Sequence, residues 1–418
     1  MNIYKHIITG LIVCPYALCI SSCHNSDSIY INDKYADTIS INVDNSVSDI
    51  PVSKLFNKIE FVPLETGENC LVGSIDKILI HQGNYFILDQ MSLSLFVFSP
   101  KGEFIHKICR VGRGPNEYTS LSDFFLDTEN NRIILDADSK LLFFDLYSYQ
   151  LIKESRPYMN TEKAYLGNET YAYYLRNGTW TGKYNIVVEK NGEIIYQNLP
   201  ISEKNAGYTF SREWSFSQPM QNNEVFFAEP FDNNIYLLSK DSMIVKYYID
   251  FGEFAFPETY FDDIPMQNWS ERGIAAPYCS LVSDYYRNDN LLSFNFTYKG
   301  SAVYYFNFFN RREEFLFTGF NDDMLYAGTP VPMLYIDSTG IVSCMEVIDF
   351  KEGFENYKMI GDQMKEYRKE AEKAGQIKDW EIFRVQFENN SKNYYEQMKY
   401  LAGKNEEDNP IIVKWHFN

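Results

Sequence analysis

A gapless internal repeat is the feature that most narrows what this chain can fold into. Asn84-Tyr-Phe-Ile-Leu-Asp89, then Leu95-Phe-Val-Phe98 and Phe104-Ile105, can be laid on Asn131-Arg-Ile-Ile-Leu-Asp136, Leu142-Phe-Phe-Asp145 and Leu151-Ile152. The offset is constant at about 47 residues, long enough for one supersecondary unit. A third copy runs through Val225-Phe-Phe-Ala228, Ile235-Tyr-Leu-Leu238 and Ile244-Val245. Each unit is a series of short apolar runs separated by Asn, Asp and Gly, which predicts the four-stranded blade of a β-propeller rather than a helical solenoid.

Counting by this template predicts an all-β fold, a six-bladed β-propeller over residues 54–418. The blades fall near 75–108, 121–153, 163–197, 214–249 and 279–318, with the sixth starting at Met333–Ile336 and Ile341–Met345 and resuming at Ile411–Trp415. The sixth lacks an outermost strand. Lys58–Leu64, unassigned at the other end, is expected to fill the place and leave no free sheet edge. Between residues 349 and 408 the period changes. Met364, Tyr367, Ala371 and Ala374 recur at helical spacing, as do Trp380, Phe383 and Phe387. Two amphipathic helices packed beside blades five and six are expected there.

The N-terminus reads as an export signal over residues 1–22. Lys5 gives a basic start, and Ile7–Ile20 is an apolar run of about fourteen residues, the length of a secretory core and short of the ~20 a spanning helix needs. Ile20-Ser21-Ser22-Cys23 is a lipobox pattern, which predicts acylation of Cys23 and anchorage to a membrane by lipid. The Asp-, Ser- and Asn-rich stretch 23–53 is expected to be a tether. His24 is not Asp, which favours sorting to the outer membrane of a Gram-negative cell envelope.

A net charge of -19 repels nucleic acid and anionic lipid heads, so neither is an expected partner. Of seven cysteines, Cys70, Cys109, Cys279 and Cys344 remain after the lipobox; they stand far apart without metal-ligating spacing and read as core residues. No HExxH, GxSxG or phosphate-binding glycine motif occurs, histidines are few, and no cofactor or metal is expected. Asp136-Ala-Asp138-Ser139 lacks the glycine and glutamate of a calcium loop and reads as an Asx turn.

Four stretches together, the lipobox, Ile59-Glu-Phe-Val-Pro-Leu-Glu-Thr66, Val111-Gly-Arg-Gly-Pro-Asn-Glu-Tyr118 and the closing Asn409-Pro-Ile-Ile-Val-Lys-Trp415, resemble the six-bladed β-propeller lipoproteins of Bacteroidetes, a group related to NHL-repeat propellers. The resemblance implies a six-bladed propeller in a Gram-negative envelope and brings no catalytic residue with it.

For the site, the expectation rests on the connections that lead into innermost strands, because these ring one mouth of a propeller channel. They offer Arg113, Glu117 and Tyr118 before blade two, Arg212 and Trp214 before blade four, and Asp284 and Arg287 in blade five. Arginines with aromatic neighbours suit a carboxylate or sugar. Trp180, Tyr208 and Trp269 are further candidate stacking surfaces. The leading reading is a binding or scaffolding propeller for a glycan, peptide or envelope protein partner. The alternatives are a hydrolase or lyase with channel-facing acids, and a structural subunit of an outer-membrane complex that docks through its helices.

Overall fold

The structure, a computed structural model, describes residues 37–178, 182–209 and 215–418. The expected signal peptide and Cys23 lie outside these residues. Among them the chain is mostly β: six four-stranded sheets and one two-stranded ribbon. Sheet one comprises Lys77–His81, Asn84–Asp89, Ser94–Phe98 and Phe104–Ile108 in antiparallel order. Sheet two (Leu121–Asp127 to Leu151–Ser155) and sheet three (Lys163–Tyr165 to Glu193–Pro200) repeat that order, as does sheet five (Cys279–Arg287 to Glu313–Phe317).

Side chains of a strand alternate between its two faces, and here both faces are buried. Ile78, Tyr85, Ile87, Phe96 and Phe98 of sheet one share a core with Val62, Val342 and Ile412 of sheet six. Their sequence neighbours Leu79, Phe86, Leu88, Leu95 and Val97 instead join Leu121, Phe124 and Ile133 of sheet two. This explains why the repeat is an almost unbroken apolar run rather than an alternating one. Further clusters link two to three through Phe143 and Tyr173, three to four through Tyr174 and Phe227, four to five through Phe226 and Phe294, and five to six through Phe306 and Trp415.

Sheet six takes its strands from both ends of the chain. Tyr335–Ile336, Gly340–Met345 and Ile411–Phe417 are followed by Phe56–Pro63, whose Glu60 stands opposite Lys414 and whose Pro63 stands opposite Ile411. The tether boundary at residue 53 needs correcting, because residues 37–53 are folded onto the body. Asp37–Ser40 pairs in parallel with Met243–Asp250, adding an outer strand to sheet four, whose own strands are Val225–Phe227, Asn234–Leu238 and Met243–Asp250. Val47 then bridges Phe317 of sheet five, and Ile50–Pro51 pairs with Phe320–Asn321. The segment is thus a strap laid along the outer edges of sheets four and five that continues through Phe56–Pro63 as the outer strand of sheet six. Its polar composition hides a two-residue alternation of Ile39, Ile41 and Val43, of which Ile41 and Val43 are buried.

The two expected helices run Val347–Ala374 and Ile377–Ala402, joined at Gly375, whose φ of 73° lies in the left-handed region that glycine tolerates. Their roots hold the contact with the sheets. Phe350, Phe354, Tyr394, Met398 and Leu401 are buried against sheet six, and Tyr394 accepts a hydrogen bond from Ile59 N at 3.1 Å. Of the residues expected to face the body, Phe387 and Met364 reach this core. Tyr367, Ala371, Trp380 and Phe383 are half-buried, and Ala374 is exposed. No helix among the described residues is long and apolar enough to cross a membrane.

One half-buried acid at the boundary of sheets three and four is expected to make stability depend on pH. Glu229 accepts a hydrogen bond from Asn185, and burial, reinforced by Asp232, pushes its carboxyl from 4.5 up to about 8. The folded chain therefore keeps a proton that the unfolded chain releases. Stability is greatest below the unfolded value and falls as pH rises from 4.5 to about 8. Melting temperature should decline across this window, and Glu229→Gln should flatten the decline. Parallel curves for the two proteins would refute the assignment.

Candidate functional site

Inward-facing residues from the first strands of all six sheets surround one cavity of about 330 Å³. Sheet one contributes Lys77 and Leu79, sheet two Asp123 and Phe125, and sheet three Lys163 and Tyr165. Sheets four, five and six add Phe226, Tyr285 and Ile336. A second cavity, of about 720 Å³, shares Asp76, Asp123, Glu162 and Lys163 with the first and continues to Gln90, Asp136, Asn160 and Arg176. Gln218, just ahead of sheet four, spans the interior: it accepts from Ile336 N of sheet six at 3.3 Å and returns a bond to Ile336 O.

The walls differ in chemistry. Phe226, Tyr285, Phe294, Tyr304 and Phe306 form an aromatic side. Opposite stand three ion pairs, and burial makes each pairing necessary, since a lone charge there would be strongly destabilising. Lys77 Nζ is 2.7 Å from Asp123 Oδ1 and also donates to Phe124 O at 3.2 Å. Lys163 pairs with Asp136, both buried. Arg176 Nη2 is 2.6 Å from Glu162 Oε2, and Glu162 further accepts from Ser215 N at 2.5 Å and Ser215 Oγ at 3.0 Å. Burial pushes the Asp123 and Asp136 carboxyls upward, against the pull of Lys77 and Lys163.

Two carboxylates on these walls have no cation. Asp76, at the junction of the cavities, uses Oδ2 to accept from Ser74 Oγ at 2.6 Å and Gln90 N at 2.8 Å. Asp284 accepts from Asn295. Neither forms an ion pair among the described residues.

Of the residues expected from sequence, Asp284 lies in the cavity wall. Arg287 does not: it donates to Tyr247 OH at 3.3 Å and stacks 4.5 Å from the centre of Phe309, bridging sheet five to sheet four. The Gly112–Tyr118 segment is likewise a structural connection. Tyr118 is fully buried, donating to Leu93 O at 3.0 Å, while Glu117 caps Gly114 N at 2.8 Å and receives Lys140 on its carbonyl at 2.7 Å. A Cβ at Gly112 would meet Glu117 Oε2 at 2.0 Å, so a side chain there would push aside the carboxylate that caps Gly114 N. Arg113 is exposed and lines neither cavity. Tyr208 and Trp269 pack edge to face at 4.8 Å in a satellite cluster. Arg212, Trp214 and Trp180 lie outside the described residues.

The ion pairs were missed because the connections were searched rather than the strands. The repeat held a signal: Asp123 occupies the place of Asp76, and Asp136 that of Asp89. Buried Asp89 accepts from Gly73 N at 2.7 Å and Ser92 N at 2.9 Å; burial acts to raise its carboxyl, but these bonds hold it below the usual range. Asp136 instead faces Lys163, whereas Asp138 takes the turn role expected for that stretch, accepting from Ser120 N at 2.8 Å.

Among solved structures, a crystal structure at 2.60 Å of a Bacteroides fragilis protein described as exported is similar with a TM-score of 0.66 at 19% identity, over 91% of this chain and 99% of that one. The β-propeller domain of the Trilobed protease from Pyrococcus furiosus is similar at a TM-score of 0.31 and 9% identity, over 62% of this chain and 72% of that one. That of Cps50 (Swd1) from Myceliophteria thermophila gives 0.30 and 10%, over 61% and 90%. No curated protein matches the chain. A family model matches residues 36–416, a span that takes in all six sheets, the strap and both helices, and the chain therefore belongs to the family described as a domain of unknown function (DUF4934).

Proposed function

We propose that this chain is a lipid-anchored, six-bladed β-propeller of the cell envelope that binds a ligand in the cavity at the centre of the ring. The observation that carries this reading is the placement of the cavity: it is bounded by the first strand of every sheet, while each sheet shares a core with the next and the sixth with the first. Concave sites with an apolar wall and a few convergent polar groups are where proteins take small ligands. A glycan, a peptide or a segment of a partner protein fits that description. Saturation-transfer NMR of the mature chain against a panel of disaccharides and dipeptides is expected to find binders, and Ser283→Trp, which fills the cavity from sheet five, should abolish their binding. A panel without binders, or binders indifferent to the plug, would refute the reading.

The anchor rests on Ile20-Ser21-Ser22-Cys23 and on the likeness to an exported protein. Two or three acyl chains at ~0.8 kcal/mol per buried methylene hold a protein on a bilayer without a spanning helix. Mass spectrometry of the mature protein should find acylated Cys23 as the first residue. An unmodified N-terminus at another residue would remove the anchor and leave the cavity reading intact.

A further inference from the structure

We infer that the central cavity selects ligands carrying a primary ammonium group beside an apolar body, with the ammonium seated on Asp76 and the body against the aromatic wall. The inference rests on the reading of this cavity as a ligand site and gives that ligand its chemical class.

The argument is one of unmatched charge. Among the described residues, Lys77, Lys163 and Arg176 are the cations of the two cavities, and each already holds a carboxylate. An anionic ligand would have to displace one of those carboxylates and leave it buried and alone. Asp76 and Asp284 are in the opposite condition, with hydrogen bonds but no counter-charge among the described residues. Asp76 lines both cavities, so a group placed on it reaches the aromatic and the ionic side together. A second, independent sign is Asp136, which is buried in the same ionic wall with Oδ1 lacking any hydrogen-bond partner. A buried acceptor in that state favours an incoming donor. A net charge of -19 also raises the local concentration of cations. The rings of Phe226, Tyr285 and Phe294 supply the surface for an apolar body.

Three probes of nearly one shape test this: phenethylamine, phenethyl alcohol and hydrocinnamate, which are cationic, neutral and anionic. Each is titrated into the mature protein to about 5 mM, where even weak binding is registered. The amine should bind about 10-fold more tightly than the alcohol, the gain expected of a charge-assisted bond. Hydrocinnamate should bind more weakly than the alcohol. Asp76→Asn keeps an oxygen for Ser74 and Gln90 and should erase the amine's advantage while leaving alcohol binding unchanged. Equal affinities for amine and alcohol, or an advantage that survives in Asp76→Asn, would overturn this inference alone. Failure of all three probes to bind would overturn the central site itself. Should Asp76→Asn unfold, the three-probe series on the unaltered protein decides the matter.

Discussion

A chain that begins at Glu65 should fail to unfold cooperatively and should aggregate, whereas deletion of Asn25–Asp33 should be nearly silent. The reason lies in what the strap buries. Phe56, Ile59 and Val62 face inward from the outer strand of sheet six, and Ile50, Val52 and Leu55 precede them with little or no exposure. Six such side chains at ~1.5–3 kcal/mol each amount to about 9–18 kcal/mol. A domain's whole net stability is ~5–15 kcal/mol. Loss of the strand also bares the backbone of Ile411–Phe417, an apolar edge open to pairing with other chains. Denaturant unfolding followed by circular dichroism, with light scattering, measures both effects. Equal behaviour of the two truncations would refute the closure.

Asn409→Ala should cost about 3–5 kcal/mol, measured as a shift in denaturant midpoint. Asn409 is 1% exposed and pins the loop after the strap to the C-terminal strand. Its Oδ1 accepts from Val72 N at 2.8 Å, and its Nδ2 donates to Glu65 O at 2.7 Å and Cys70 O at 2.6 Å. Alanine leaves Val72 N and Cys70 O buried without that partner, at ~1–3 kcal/mol each, and leaves Glu65 O with Cys70 Sγ at 3.3 Å. Asn409→Asp has no amide to donate and should recover little of the loss. Exposed Glu407→Ala serves as the control and should change stability by less than about 0.5 kcal/mol. A similarly small change for Asn409→Ala would show that the loop repacks around the substitution.

The strands were legible because the repeat buries both faces of each sheet, so Tyr85–Leu88 and Ile133–Leu135 stand out as apolar runs whatever their neighbours do. The strap was not. Its alternating Ile39, Ile41 and Val43 sit among aspartates and asparagines, and reading composition over about thirty residues averages so short a signal away. Of the expected site residues that are described, Asp284 lines the cavity and the others do not, and the chemistry of the walls was not legible. That innermost strands meet at a centre follows from the topology, but the partner of a charged residue in a strand depends on a different sheet. Lys163 finds Asp136 in sheet two and Lys77 finds Asp123, also in sheet two, and no spacing along the chain encodes either meeting. The most specific-looking motif is a structural turn. Gly112 and Gly114 mark a tight approach, and the approaching group is Glu117 of the same turn rather than a ligand.

The strap also sets a timetable. Asn57 reaches Phe417 O across 360 positions of sequence, and Asn418 reaches back to Lys54 O across 364. The outer strand of sheet six leaves the ribosome long before its partner, Ile411–Phe417, is made. Contacts so distant in sequence form late and slowly, after the loop between them has been ordered. Any chain that lacks Ile411–Phe417, whether stalled in synthesis or clipped, is left with Phe56–Pro63 unpaired. Such a product differs from the finished molecule by an open edge, which proteases and chaperones of its compartment can read. The pairing of Ile411–Phe417 with Phe56–Pro63 thus certifies that everything between them has arrived.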